Sequence, residues 1–96
     1  MAIEDFNNAI HIVPAFANAY NNRGFTYYIL GQYKHAIEDY NKAINLKPDY
    51  ADAYMNRGVT YLKQGNNTLG CRDAQKACAL GNCKTLESAK DIKLCR

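Results

Sequence analysis

Residues 17–50 read ANAYNNRGFTYYILGQYKHAIEDYNKAINLKPDY, and residues 51–84 read ADAYMNRGVTYLKQGNNTLGCRDAQKACALGNCK. The second stretch is the first again, displaced by one 34-residue period. Thirteen of the 34 aligned positions are identical, among them Ala19/Ala53, Tyr20/Tyr54, Gly24/Gly58, Tyr27/Tyr61, Gly31/Gly65 and Ala43/Ala77. The same shift lays residues 1–16 over 35–50 with eight identities, including AIED over AIED and Pro14 over Pro48. A fixed period of this length marks a chain of supersecondary units that bury their faces on one another.

Each unit reads as two helices. In 17–30 the larger side chains recur at helical spacing, Tyr20, Arg23, Tyr27 and Leu30, and Gly31 stops the helix. In 33–46, Tyr33, Ala36, Ile37, Tyr40, Ala43, Ile44 and Leu46 make a wide apolar stripe. Lys47-Pro48-Asp49 then breaks the chain, because proline cannot continue a helix. Gly24, Gly58, Ala36 and Gly70 are small where paired helices must approach closely. A mid-helix glycine costs about 1 kcal/mol against alanine, so its return at one register argues for a packing reason. Six helices are predicted, at about 2–12, 17–30, 33–46, 51–64, 68–80 and 83–92, and no strand.

The pattern Tyr20, Gly24, Tyr27, Ala36, Tyr40, Ala43, Pro48, and again Tyr54, Gly58, Tyr61, Ala77, resembles the tetratricopeptide repeat (TPR) family over roughly residues 2–82. The resemblance implies an all-α solenoid of antiparallel helix pairs wound into a right-handed superhelix. Residues 1–16 would be the second helix of a truncated repeat, 17–50 a full repeat, 51–82 a divergent one and 83–96 a capping helix. The chain opens in mid-repeat, so a fragment of a longer array is expected. Ile3, Phe6, Ala9 and Ile10 would then form an incompletely covered apolar face, and such a patch marks an association site. Self-association or helix swapping through Ile3, Phe6 and Ile10 is one expectation, giving a homo-dimer or a swapped oligomer. The alternative is a fraying first helix on a monomer.

Composition narrows the function classes. The net charge is +3, with 12 basic and 9 acidic side chains, far from the basic bias of an electrostatic nucleic-acid binder. No apolar run is long enough to insert into a membrane, and MAIEDFNNAI is not a signal peptide. Residues 1–66 balance six basic against six acidic side chains, so the whole surplus lies in 67–96.

All four cysteines lie there too. Cys71 and Cys78 occupy registers that are isoleucine in the other copies, Ile37/Ile3 and Ile44/Ile10. A free cysteine can be a small buried hydrophobe, but four clustered at the end of the chain suit disulfides better. Cys71 and Cys78 are seven residues apart on one helix, roughly 10 Å of rise, beyond the ~7 Å that a bridge spans between α-carbons. An antiparallel hairpin suggests nesting, Cys78 with Cys83 and Cys71 with Cys95. The crossed pairing, Cys71–Cys83 with Cys78–Cys95, stays open. A zinc site would want ligands in close pairs, and the gaps here are too wide. No metal or cofactor is expected. Thiol catalysis would need a histidine placed as base, which neither His11 nor His35 provides. The ending CRDAQKACALGNCKTLESAKDIKLCR also resembles Cys-rich C-termini of bacterial extracytoplasmic repeat proteins. That implies a periplasmic or secreted parent, or a cytoplasmic one if the thiols are free. A terminal repeat needs a cap over its apolar face, and bridges would stiffen it. A redox-active tail is a distant third reading.

The family resemblance implies a protein or peptide ligand in the concave groove lined by the first helix of each pair. The candidates there are Asn18, Asn21, Asn22, Phe25, Tyr28 and Ile29. One repeat on they are Asp52, Met55, Asn56, Val59, Leu62 and Lys63. Asn22 and Asn56 share a register, and their amides could donate to and accept from an extended backbone. The plain alternative is a solvated helix face. A clamp for acidic C-termini would want several Lys, Arg and Asn side chains. Only Lys63 is available here, Asp52 opposes it, and Phe25 stands where a polar group would be needed. Arg23 and Arg57 are expected to snorkel along neighbouring helices. Glu4-Asp5 and Glu38-Asp39 are expected on a solvated face. No phosphate loop or catalytic constellation appears, and the chain is not expected to be an enzyme.

Overall fold

The computed structural model describes residues 3–12, 16–85 and 95. Five helices account for most of them: α1 (Ile3–Ile12), α2 (Ala17–Ile29), α3 (Tyr33–Leu46), α4 (Ala51–Lys63) and α5 (Asn67–Ala79). Among the described residues there is no strand. A sixth helix was expected over 83–92. Lys84 and Thr85 are helical, and the rest of that span lies outside the described residues. The chain forms two units, Met1–Pro48 and Asp49–Arg96.

In the first unit α2 and α3 are antiparallel, because contacts descend α3 as they ascend α2. Arg23 meets Asp39, Tyr27 meets His35 with ring centroids 5.2 Å apart, and Tyr28 meets Tyr33 at 5.7 Å. Ala36, Tyr40 and Ala43 are fully buried between them, with Ala19 nearly so. The helices touch at Gly24: a β-carbon there would lie 2.7 Å from Tyr40 Cε1 and 3.1 Å from the Ala36 carbonyl oxygen. That distance explains why glycine stands mid-helix despite its poor propensity. α1 packs on α2 through buried Phe6 and through Asn7, whose Oδ1 accepts a 2.8 Å hydrogen bond from Arg23 Nη1.

The second unit repeats this with smaller residues. Arg57 meets Asp73, and Gly58 abuts Gly70, Asp73 and Ala74. Leu62 fills the space over Gly70, with its Cδ2 where a β-carbon at position 70 would be only 2.6 Å away. Ala53, Ala74 and Ala77 are fully buried. Where Tyr40 fills the first unit, Ala74 stands in the second.

The turns are built alike. Gly31 has φ +77° and donates its N–H to the Tyr28 carbonyl, while Gln32 donates to that of Tyr27. This paired closure satisfies two carbonyls that a helix end leaves free, and it requires a left-handed residue. Gly65 and Gly81 close α4 and α5 by the same bonds. α5 also has a side-chain N-cap, with Asn66 Oδ1 accepting from the Leu69 N–H at 3.3 Å.

Two expectations about charge are corrected here. Asp39 is not on a solvated face: it is 5% exposed, as is Asp73. Arg23 and Arg57 do not snorkel along neighbouring helices. Each forks onto its aspartate, Arg23 with bonds of 2.8 and 2.6 Å and Arg57 with bonds of 2.7 and 2.8 Å. Adjacent helix positions do point apart. Glu38 accordingly faces solvent while its neighbour Asp39 faces α2.

Candidate binding groove

In the first unit a depression of about 510 Å³ opens where α1 leaves α2, lined by Phe6, Asn22, Phe25, Thr26 and Ile29. Asn22, Phe25 and Ile29 sit three or four residues apart and so share one face of α2. Phe6 forms the floor. Phe25 is 45% and Ile29 66% exposed, large apolar areas left in water. The Thr26 hydroxyl is turned back to the Asn22 carbonyl at 3.1 Å, so it presents little polarity to the groove. Phe25 stacks on Tyr28 with ring centroids 6.0 Å apart, and Tyr28 in turn reaches Tyr33. Among the described residues, none that lines it is charged.

Charge is absent because the nearby arginine is committed elsewhere. Arg23 holds Asp39 and Asn7, and its guanidinium carbon lies 5.5 Å from the Tyr20 ring centroid. The hydrogen bonds to Asp39 raise its pKa above the ordinary arginine value against the opposing effect of burial. Arg57 is held the same way by Asp73, with Tyr54 and Tyr61 beneath it.

Of the residues expected in the groove, Asn22, Phe25 and Ile29 line this depression, and Asn18 is exposed nearby on α2. Asn21 is 6% exposed and belongs to the interior. Tyr28 is half-buried and packs toward Tyr33. In the second unit Leu62 packs inward on Gly70. Asn56 and Val59 are half-buried and Lys63 is exposed. Asp52 and Met55 are already engaged: Asn82 Nδ2 donates to Asp52 Oδ1 and contacts Met55 Sδ, both at 3.1 Å. The sequence reading missed Phe6 and Thr26 as lining residues. Their apolar or β-branched character looks like core, and it is the packing of α1 on α2 that brings them to one opening.

At the other end of the chain the sulfurs of Cys71 and Cys95 lie at bonding distance, 1.93 Å, and those of Cys78 and Cys83 at 1.91 Å. Cys95 is 4% exposed. Asn82, inside the Cys78–Cys83 turn, also accepts from the Lys84 N–H at 3.2 Å and so starts the next helical turn. Of the self-association residues, Phe6 is buried while Ile3 and Ile10 are half-buried. Among the described residues no cluster of His, Cys, Asp or Glu could hold a metal ion, and no helix could cross a membrane.

Antiparallel helix pairs that bury a glycine-centred contact and leave one helix face open define a helical-repeat interaction fold. The family model described as TPR repeat matches residues 1–31 and 26–65, and the chain belongs to that family. Among solved structures it is similar to MamA, with 31% identity and a TM-score of 0.77 over 81% of this chain and 46% of that one. It is similar to YrrB, described as a TPR protein with an unusual peptide-binding site, with 26% identity and a TM-score of 0.81 over 84% and 42%. The first TPR of Spaghetti (RPAP3), bound to the HSP90 peptide SRMEEVD, shares the fold at 22% identity and a TM-score of 0.87, over 95% and 74%. The chain thus spans less than half the length of the MamA and YrrB chains. No curated protein sequence matches it significantly.

Proposed function

We propose that this chain is a non-catalytic scaffold that docks an extended segment of a partner protein in the α1/α2 groove. The segment would carry an apolar anchor and no acidic terminus. One observation carries this reading: the groove is lined by Phe6, Asn22, Phe25, Thr26 and Ile29 without a charge, while Arg23 is locked to Asp39. An aliphatic or aromatic side chain would cover Phe25 and Ile29. The exposed Asn22 amide can donate to and accept from the segment's backbone. Peptide binding by YrrB and by the Spaghetti domain supports a peptide as the ligand class. In the second unit the cap residue Asn82 already occupies Asp52 and Met55, so that unit offers less. The two cysteine pairs at bonding distance support an oxidising, extracytoplasmic setting. Oligomerisation through α1 is less favoured, because Phe6, one of the three residues it needs, is buried.

The reading is tested by calorimetric titration with two probes: an end-capped neutral hexapeptide with a central Leu-Phe pair, and the acidic SRMEEVD peptide. The capped peptide should bind, and Phe25→Ala should weaken it about tenfold, the effect of losing one well-packed aromatic anchor. Preference for the acidic peptide would contradict the proposal.

A further inference from the structure

The two cysteine pairs differ in span, in burial and in what they enclose. Cys71 and Cys95 are 24 residues apart, and Cys78 and Cys83 only five. Cys95 is 4% exposed, whereas Cys78 and Cys83 both keep part of their surface in water. The short loop also holds Asn82, whose side chain grips α4. Its Nδ2 donates to Asp52 Oδ1 and touches Met55 Sδ, while its Oδ1 accepts from the Lys84 N–H. The backbone of Asn82 does not need the bridge. Its N–H donates to the Ala77 carbonyl at 2.8 Å, as Gln32 and Asn66 donate at two turns with no cysteine. What the bridge fixes is Cys83 and, beside it, Lys84, the residue that orients the Asn82 amide.

We propose that Cys78–Cys83 is a thiol-exchange site, opened by a dithiol reductant while Cys71–Cys95 stays closed, and that its opening releases Asp52 and Met55. A thiolate of the reductant attacks Cys78 Sγ. The S–S bond breaks and its electron pair leaves on Cys83 Sγ, which takes up a proton and has the Cys78 carbonyl oxygen as an acceptor 3.6 Å away. The reductant's second thiolate then attacks its own sulfur in the mixed disulfide. Cys78 leaves as a thiolate and is protonated, and the reductant ends as a disulfide, two electrons having passed to the cystine. The other bridge resists at both sulfurs. Cys95 is closed to a nucleophile, and attack on Cys71 would leave the charge on buried Cys95, where burial disfavours a thiolate. Opening the five-residue loop also returns less entropy to the unfolded chain than opening the longer one, so the fold tolerates it better. In the oxidised chain the bridge thus holds Asn82 over two α4 residues on the side expected to meet a partner, and reduction uncovers them. The device stands apart from what the α1/α2 groove binds.

The test starts from the oxidised chain, titrated with dithiothreitol. Thiols are alkylated at each step and located by peptide mass, and the Met55 methyl is followed by NMR; Met1 is the only other methionine. Cys78 and Cys83 should be tagged at about tenfold lower reductant than Cys71 and Cys95. The Met55 methyl should shift with that first step, while circular dichroism keeps its helical signal. Asn82→Ala should place Met55 at the shifted position before any reductant is added, and opening the bridge should then move it no further. Where the reduced chain loses structure, the double variant Cys78→Ser with Cys83→Ser, its Cys71–Cys95 bridge intact, decides by its Met55 position. Opening of Cys71–Cys95 first or together with the shorter bridge overturns the proposal. So does a Met55 methyl that stays in place in the opened chain or, where that chain unfolds, in the double variant. Four thiols tagged before any reductant would overturn the bridges and the inferred compartment with them, and would leave the groove reading standing.

Discussion

Arg23 and Asp39 form a two-pronged ion pair across the α2/α3 contact, and Arg57 and Asp73 repeat it 34 residues later. Both aspartates are almost wholly buried, and both arginines lie over tyrosine rings. The pair ties the helices of each repeat and removes the arginine from the open face.

Breaking one partner should cost more than removing both. Asp39→Ala or Arg23→Ala leaves a charge without its partner at a part-buried site. We expect a loss of about 2–4 kcal/mol for each single change. The double variant carrying both Asp39→Ala and Arg23→Ala should cost less than the sum of the two. Urea denaturation of the four proteins gives the cycle. Arginine pKa values are raised here, so the arginine contribution is complete below the unfolded value and is lost only as pH rises through the folded one. Their titration therefore adds no pH dependence between about pH 6 and 10.

Gly24→Ala places a methyl 2.7 Å from the Tyr40 ring. Helix propensity gains about 1 kcal/mol, but overpacking against a rigid, fully buried ring outweighs it. A net loss of about 1–2 kcal/mol is expected from thermal melting, and Tyr40→Leu should relieve part of it.

The cysteine pairs should contribute unequally. Cys71 and Cys95 are separated by 24 residues, and Cys78 and Cys83 by five. Closure of the longer loop removes more unfolded-state entropy, about 3 kcal/mol against about 2. Cys71→Ser should therefore lower the urea midpoint more than Cys83→Ser. Intact mass after alkylation without reductant should show no modified thiol. Four alkylated cysteines would remove both the bridges and the inferred compartment.

Asn82 joins the cap to α4 through Asp52 and Met55 and accepts the Lys84 N–H. Asn82→Ala should cost about 1 kcal/mol, as loss of a capping side chain does. It should also speed amide exchange at Lys84 more than at α2, a difference readable by mass spectrometry.

The period revealed the helices and their pairing, because 34-residue identity carries Gly24/Gly58 and Ala43/Ala77 to matching positions. Glycine closures at Gly31, Gly65 and Gly81 were equally legible, since few residues other than glycine take a positive φ readily. The ion pairs were not. Arg23 and Asp39 each resemble surface charge in one dimension, and only the antiparallel contact brings position 23 onto 39. The repeat of that spacing at 57 and 73 was the signal available. The groove was half legible: Asn22, Phe25 and Ile29 follow from helical spacing. Leu62 and Tyr28 turn toward the paired helix and Asn21 is buried, because the packed arc of α2 and α4 is wider than a single stripe. Asp52 and Met55 are engaged by Asn82, a long-range contact that periodicity does not encode.

The central claim is an uncharged apolar groove between α1 and α2. Its most direct measurement is amide chemical-shift mapping of the labelled chain during titration with the capped Leu-Phe hexapeptide at low and at high salt. The account predicts saturating shifts at Asn22, Phe25, Thr26 and Ile29, with an affinity that salt leaves nearly unchanged. Shifts confined to Lys63 and the basic C-terminal residues, fading as salt rises, would contradict it.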